Sequence, residues 1–208
     1  MDLQHTSPGL RERKKLETRA ALRRAAIQLS LEHGPSAVTV NEICTAANVS
    51  PRTFFNYFES KEEALFAWDQ QLTRELVARL SRQPGTVPAL AALRLAMLET
   101  LPSFGADANW AARTELLAAH PELNIKLADC IRRIEQSLCE ELARRLGMPV
   151  DSIFPQLLSG AAMTALRAAL LSWAPGSDHE VLQALVAEAF DLLAAGLPDP
   201  RSAPDRRC

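Results

Sequence analysis

The chain has 208 residues and a formal net charge of −2, and only 5% of it is aromatic. That length can bury a real core, and the near-neutral balance argues against a protein that coats nucleic acid nonspecifically. Alanine and leucine dominate and β-branched runs are absent, so the composition points to an all-α fold.

Residues 1–10 read as a disordered lead. The first helix is expected over about Arg13–His33, stopped by Gly34-Pro35. Between Arg11 and Arg24 stand seven basic residues (Arg11, Arg13, Lys14, Lys15, Arg19, Arg23, Arg24) against Glu12 and Glu17, while the rest of the chain is mildly acidic. Basic runs are usually solvated helix faces. Next to the segment that follows, a phosphate-contacting arm is the better reading.

That segment is TVNEICTAANVSPRTFFNYFESK, Thr39–Lys61. Thr39 and Glu42 form a T-x-x-E capping box, and Val38 and Ile43 sit where a hydrophobic staple would, so a second helix starts at about Val40 and runs to about Ala47. Asn48 is a turn former, Ser50 a good N-cap, and Pro51 occupies the first helical position, where its missing N–H costs nothing. A third helix, about Pro51–Phe58, therefore begins a few residues after the second ends. This is helix-turn-helix spacing.

The third helix also sorts its faces. At about 100° per residue, Phe54, Phe55 and Phe58 fall within an arc of about 100°, and Arg52, Thr53, Asn56 and Tyr57 within a separate arc of about 140°. The phenylalanines are expected to pin the helix to a small core. The opposite face offers a bidentate cation, a hydroxyl, an amide and a phenol, groups that read base edges or hold phosphates.

With its flanks, the segment resembles the tetracycline-repressor (TetR) family of bacterial transcriptional regulators. The matches are TR-x-x-L-x-x-A-A in Thr18–Ala26, Gly34 after the first helix, TV-x-E-I at Thr39–Ile43, AA-x-VS at Ala46–Ser50, TFF-x-YF at Thr53–Phe58 and SK-E-E-A-L at Ser60–Leu65. Arg52 departs from the pattern, since many members carry glycine there, and it suggests a distinct operator preference. The resemblance implies that Thr39, Tyr57 and Lys61 hold phosphates of double-stranded operator DNA. Arg52, Thr53 and Asn56 would face the groove, with Ser50, Pro51 and Arg19 also at the DNA.

Six further helices are expected. The fourth starts at Ser60, whose S-x-x-E box with Glu63 is a second capping signature, and runs unbroken to about Arg82 before Gln83-Pro84-Gly85. The fifth covers about Val87–Thr100 and closes near Pro102 and Gly105. The sixth spans about Asp107–Ala119, and the seventh Glu122–Leu146, ended by Gly147 and Pro149. The eighth runs from about Ser152 to Trp173, stopping at Ala174-Pro175-Gly176, and the ninth from about Asp178 to Ala195. The tail 198–208 reads as disordered. The expected organisation is a helix-turn-helix DNA-binding domain over 11–59, then a helical effector-binding and dimerisation domain over 60–197.

The eighth helix carries small residues at Gly160, Ala161, Ala165, Ala168 and Ala169, which would let another helix approach closely. A helix buried inside one subunit would look the same. The family resemblance implies a homodimer through the last two helices, with Ala165 or Ala168 near the contact. Arg167 would then be buried and need a partner, with Glu188 or Asp191 nearest by layout.

The same resemblance implies an effector pocket among the fourth to eighth helices. Trp68, Met97, Phe104, Trp110, Leu117, Ile134 and Met163 are bulky apolar residues there, and Arg113 could hold one polar end of a bound molecule. Such residues at helical spacing are more often plain core. Together they imply a hydrophobic small-molecule effector. RTELLAAHPEL at Arg113–Leu123 and LRAALLSW at Leu166–Trp173 look like a subgroup containing mycofactocin-type regulators, some of which respond to long acyl thioesters.

No cofactor or metal is implied. His5, His33, His120 and His179 are scattered, and no zinc, phosphate-loop or nucleophile motif is present. Cys130 and Cys139 fall on opposite sides of one helix, Cys44 lies in another and Cys208 ends the chain, which fits a reduced, cytoplasmic protein. The N-terminus has no apolar signal segment, and the most apolar stretch, Leu157–Trp173, is interrupted by polar residues, so no membrane association is expected. An all-helical protein-interaction module without DNA binding is the alternative reading. It leaves the Arg52–Tyr57 stripe and the basic excess unexplained.

Overall fold

The computed structural model describes residues 10–66, 70–105, 110–173 and 178–197, without the side chains of residues 10–12, 103–105, 110, 111, 114 and 179. The elements are α1 (Leu10–His33), α2 (Val40–Ala46), α3 (Pro51–Phe55), α4 (Lys61–Leu65), α5 (Gln70–Arg82), α6 (Ala89–Gly105), α7 (Trp110–Ala119), α8 (Leu123–Leu146), α9 (Ile153–Ser172) and α10 (His179–Ala194). Among the described residues every regular element is a helix. The expected tail, the lead before Leu10 and the breaker at Ala174-Pro175-Gly176 lie outside them.

Two compact units divide the chain. The first holds residues 1–70 and 107–127, the second residues 71–106 and 128–208.

In the first unit, α1 packs against α2, α4 and α7, and α2 against α3. Its core contains Leu22, Ala26, Ile27, Val38, Ile43, Phe54, Phe58, Leu65 and Phe66. The capping box forms as expected. The Thr39 backbone N–H donates to Glu42 Oε2 at 2.8 Å, and the Glu42 N–H donates to Thr39 Oγ1 at 3.3 Å. Val38 and Ile43, the expected staple, are both buried. The helix ends in a Schellman turn, with Val49 N–H on Cys44 O and Asn48 N–H on Thr45 O. Asn48 closes it at φ 52°, a left-handed conformation that asparagine tolerates better than most residues.

The predicted fourth helix is two. Phe66 takes extended backbone (φ −85°, ψ 148°) and ends α4 after five residues. Its ring is buried, which an unbroken helix would not have required. Glu63 supplies the rest of the reason. Its buried carboxylate accepts the Glu59 N–H at 2.6 Å and the Gln70 N–H at 3.0 Å, so one acid closes the entry to α4 and the first turn of α5. The third helix is also shorter than expected, because Asn56 and Tyr57 form a turn after Phe55.

Lys61 anchors the loop between α1 and α2. Its Nζ donates to Val38 O at 2.7 Å, Pro35 O at 2.8 Å and Ser36 O at 3.3 Å. An ammonium has three protons, and all three are used on one turn of backbone.

In the second unit, α10 packs on α9 and α6, and α9 on α6. The core is apolar: Leu72, Leu76 and Leu80 from α5, Leu93, Met97 and Leu101 from α6, Ile134, Leu138 and Leu142 from α8, and Val186 and Phe190 from α10. The predicted fifth helix continues past its expected end, through Pro102 to Gly105. Proline there forfeits one backbone bond close to the helix end, where little follows to be disrupted. Gly147 (φ 63°) turns the chain out of α8, as its position in the sequence predicts. Arg145 ties the end of α8 to the loop between α5 and α6, donating to Gln83 O at 2.7 Å and Val87 O at 2.8 Å.

Two residues of the expected dimer surface are placed differently. Ala165 is buried within the unit and Arg167 is exposed, so Arg167 needs no buried partner. Asp191 pairs instead with Arg94 of α6, at 3.3 Å. The helical phase decides this. Ala165 shares the inward face with Ala162, Leu158 and Ala169, while Arg167 and Ala168 point away from it. Among the described residues, α9 is the one helix long and apolar enough to cross a membrane, and 44% of that window is buried.

The capping box sets one measurable property. The Thr39 hydroxyl first, then the Thr39 N–H, hold the Glu42 carboxyl below its ordinary value of 4.5. A depressed carboxyl contributes stability that is complete above the ordinary value and is lost as pH falls through the depressed one. Thr39→Ala should raise the Glu42 pKa toward 4.5, followed by carbon NMR of the side-chain carboxyl, and shrink the acid-side loss of stability. Lys61→Ala leaves three carbonyls without their donor, and urea unfolding should show a loss of about 2 kcal/mol.

Candidate nucleic-acid interface

The sequence places a polar stripe on α3, and packing decides how much of it is available. The Ser50 hydroxyl accepts the Thr53 N–H at 3.2 Å and lies 2.9 Å from the Thr53 hydroxyl, so the two form the N-terminal cap. Pro51 follows as the first helical residue. Phe54 and Phe58 are buried with ring centroids 5.5 Å apart and fix the helix from below. The Arg23 guanidinium lies 5.7 Å from the centre of the Phe58 ring, adding a cation–π contact from α1.

Phe55 does not join them. It is 58% exposed, against the expectation of three inward phenylalanines. Two rings at positions four apart meet the core. The ring between them is turned about 100° away, and the short helix leaves it at the rim of the polar stripe. Its edge contact with Phe54, at 5.4 Å, fixes its direction.

Ser50, Pro51, Arg52 and Asn56 are exposed, and Thr53 and Tyr57 half-buried. Arg52, Phe55 and Asn56 therefore make a short outward ladder of a guanidinium, an apolar ring and an amide. A major groove offers acceptor pairs on guanine, a mixed edge on adenine and the thymine methyl, which are the partners of those three groups.

Other expected DNA contacts have different surroundings. Thr39 is exposed, but its hydroxyl and N–H both donate to Glu42. Lys61 is half-buried, with its three protons on the loop carbonyls already described. Arg19 is buried, as is Arg23, so two of the seven basic residues counted toward a phosphate arm face the interior of the head. Arg13, Lys14, Lys15 and Arg24 are exposed, with Arg13 3.6 Å from Glu17.

The predicted effector residues fall in both units. Met97, Ile134 and Met163 are buried in the second. In the first, Leu117 is half-buried and Arg113 fully buried, its Nε donating to Leu65 O at 2.6 Å. Arg113 thus has a backbone partner where the polar end of a ligand was expected. Trp68 lies outside the described residues, as do the side chains of Phe104 and Trp110.

A cavity of about 490 Å³ opens on the second unit between α8 and α9, lined by Arg132, Glu135, Gln136, Cys139, Gln156 and Ser159 among others. Its lining mixes polar and apolar surface and includes none of the predicted residues. Burial raises the Cys139 thiol, so it is a poor nucleophile there. Among the described residues, no group of three or more His, Cys, Asp or Glu is placed to hold a metal ion.

Sequence reasoning missed Phe55 as an outward group, Glu63 as a two-ended cap and the Leu65 carbonyl as the partner of Arg113. The S-x-x-E box marked Glu63 as a cap of α4, but nothing in the spacing of Glu63 and Gln70 marked the second bond.

Comparison with known proteins identifies the family. Residues 22–67 match the family described as bacterial regulatory proteins, tetR family, and residues 87–198 match the MftR C-terminal domain. The chain is 32% identical over 199 residues to the HTH-type transcriptional regulator TcmR of Streptomyces glaucescens, covering 89% of this chain and 87% of that one. It is 26% identical over 177 residues to the candidate mycofactocin biosynthesis transcriptional regulator MftR of Mycobacterium tuberculosis, covering 83% and 87%. A structure of SmeT of Stenotrophomonas maltophilia in complex with triclosan has the same fold, with a TM-score of 0.52 at 20% identity over 92% of this chain and 99% of that one. The chain belongs to the TetR family of bacterial transcriptional regulators.

Proposed function

We propose that this regulator is a cytoplasmic homodimeric repressor, released from its operator by a hydrophobic small molecule. The observation that carries the DNA-binding half is the outward ladder Arg52, Phe55 and Asn56 on a helix pinned by Phe54 and Phe58. Arg52 would take a guanine edge, Asn56 an adenine edge, and Phe55 a thymine methyl. Tyr57 and the exposed basic residues of α1 would hold phosphates, which position the head without reading sequence. Thr39 and Lys61 reach phosphate only if their present bonds are shared or given up.

The dimer reading rests on α9. Ile153 is 82% exposed, Leu157 68% and Leu171 79%, and Ala168 lies on the same outward face. An apolar stripe this exposed on a helix with small residues suits a second copy of itself. Val181 and Leu192 of α10 are exposed as well.

Effector release follows from differential affinity. Two recognition helices must stand about one DNA turn apart, roughly 34–36 Å, to enter successive faces of the major groove. A ligand that prefers a conformer with another spacing lowers operator affinity by that preference and no more. Triclosan bound to SmeT, a protein of the same fold, is in keeping with an apolar ligand, an acyl thioester among the candidates. The side chains proposed near it are Met97, Ile134 and Met163, all within the second unit.

Binding of Arg52→Ala to operator DNA selected from a random pool by the native protein should weaken by about 1–3 kcal/mol and lose choice at one base pair. Equal weakening on operator and scrambled DNA across a salt series would make Arg52 a phosphate contact. Leu157→Glu and Ala168→Glu should each give monomers in sedimentation at micromolar concentration. A native protein that sediments as a monomer would end the dimer reading.

A further inference from the structure

One aromatic ring of the recognition segment has no place in the core. Phe55 is 58% exposed, while Phe54 and Phe58, on either side of it in sequence, are buried. Its position on α3 is turned about 100° from that of Phe54, and the two buried rings fix the phase of the helix, so Phe55 cannot swing inward. The ring is also oriented. It meets Phe54 edge to face at 5.4 Å, with the planes 83° apart. Arg52 precedes it by three residues and Asn56 follows it, both exposed.

The chemistry of a phenyl ring narrows what it can meet in a major groove. It has no hydroxyl or amide to offer a phosphate or a base edge. Most of the groove edge of a base pair consists of donors and acceptors, and a ring laid over one of them leaves it without water or a partner. The apolar group that protrudes there is the methyl on C5 of thymine. Cytosine methylated at C5 presents the same methyl at the same ring position. Arg52 stands three residues away, a rise of about 4.5 Å, and base pairs stack about 3.4 Å apart. A guanine held by Arg52 therefore lies one or two steps from the pyrimidine under Phe55.

We propose that Phe55 reads the C5 methyl of a pyrimidine rather than the identity of the base, so that a methyl on thymine or on cytosine raises affinity alike. Methylation of a cytosine at that step then strengthens the hold of the protein on its site. The proposal deepens the operator-binding reading of α3 given above and rests on it. It needs neither the dimer nor the effector.

The test uses the full chain and an operator that the native protein selects from a random duplex pool. Each thymine is replaced in turn by deoxyuridine, which keeps the pairing and the O4 acceptor and removes only the methyl. At one position the native protein should bind about fourfold more weakly, the worth of one buried methyl. At that position a C·G pair is then compared with and without a C5 methyl, and the methylated form should bind about fourfold more tightly. Phe55→Ala should be indifferent to both changes. Should Phe55→Ala fail to fold, Phe55→Gln carries the comparison, since it keeps bulk but sets an amide against the methyl. Three results overturn the proposal: uracil silent at every position, a thymine effect with no effect of methylated cytosine, or the native response retained in the Phe55 variant. If the native protein selects no sequence from the pool, the operator-binding reading fails first. If it selects one and uracil is silent, this proposal alone fails.

Discussion

A helix of five residues makes almost no hydrogen bonds within itself. The first four N–H groups and last four C=O groups of any helix lack an internal partner, so α3 and α4 are nearly all ends. The DNA-binding head exists because side chains supply what those ends lack: Thr39 with Glu42, Ser50 with Thr53, Glu63 on two separate N–H groups, Lys61 on three carbonyls. Each of these bonds is worth little on balance in water, but an unpaired buried group costs more than the bond gains. The head is therefore held by a set of caps that depend on one another.

That constraint limits what is left for DNA. Polar residues in a recognition segment can serve either the fold or the ligand, and here the division follows position. Residues at helix starts (Thr39, Ser50, Lys61) are occupied with backbone. Residues on the outward turn of α3 (Arg52, Phe55, Asn56) are not needed by the fold, and their exposure records it. The basic residues divide in the same way. Arg19 and Arg23 lie inside the head, with Arg23 over the Phe58 ring, and Arg13, Lys14, Lys15 and Arg24 outside.

The second unit is built on a different economy of forces. Its helices run up to 20 residues and more, satisfy their own backbone over most of their length, and cohere by apolar burial. Polar ties such as Arg145 on the α5–α6 loop and Arg94 on Asp191 sit at the margins. Such packing is directional only through shape, so a long apolar helix can bury one face within the chain and leave Ile153, Leu157 and Leu171 exposed on the opposite one.

The sequence by itself determined the local architecture. Thr39-x-x-Glu42, Asn48, Ser50-Pro51, Ser60-x-x-Glu63 and Gly147 are short-range devices, each acting within a few residues of backbone, so their effect is legible in linear order. Caps and the Gly and Pro breakers likewise placed the other long helices to within a few residues, while the expected fourth is broken at Phe66. What only the tertiary structure decided were the partners of long side chains and the phase of exposed faces. Lys61 spans 26 residues to Pro35 and Arg113 spans 48 to Leu65, and no spacing rule encodes either. The break at Phe66 depends on a ring finding a core and on Glu63 reaching Gln70, both consequences of how α1 and α4 meet. Ala165 and Arg167 lie on opposite faces of α9, and Phe55 sits near the boundary of a helical stripe. There a rotation of a few tens of degrees chooses between core and solvent, and that rotation is set by the neighbouring helices.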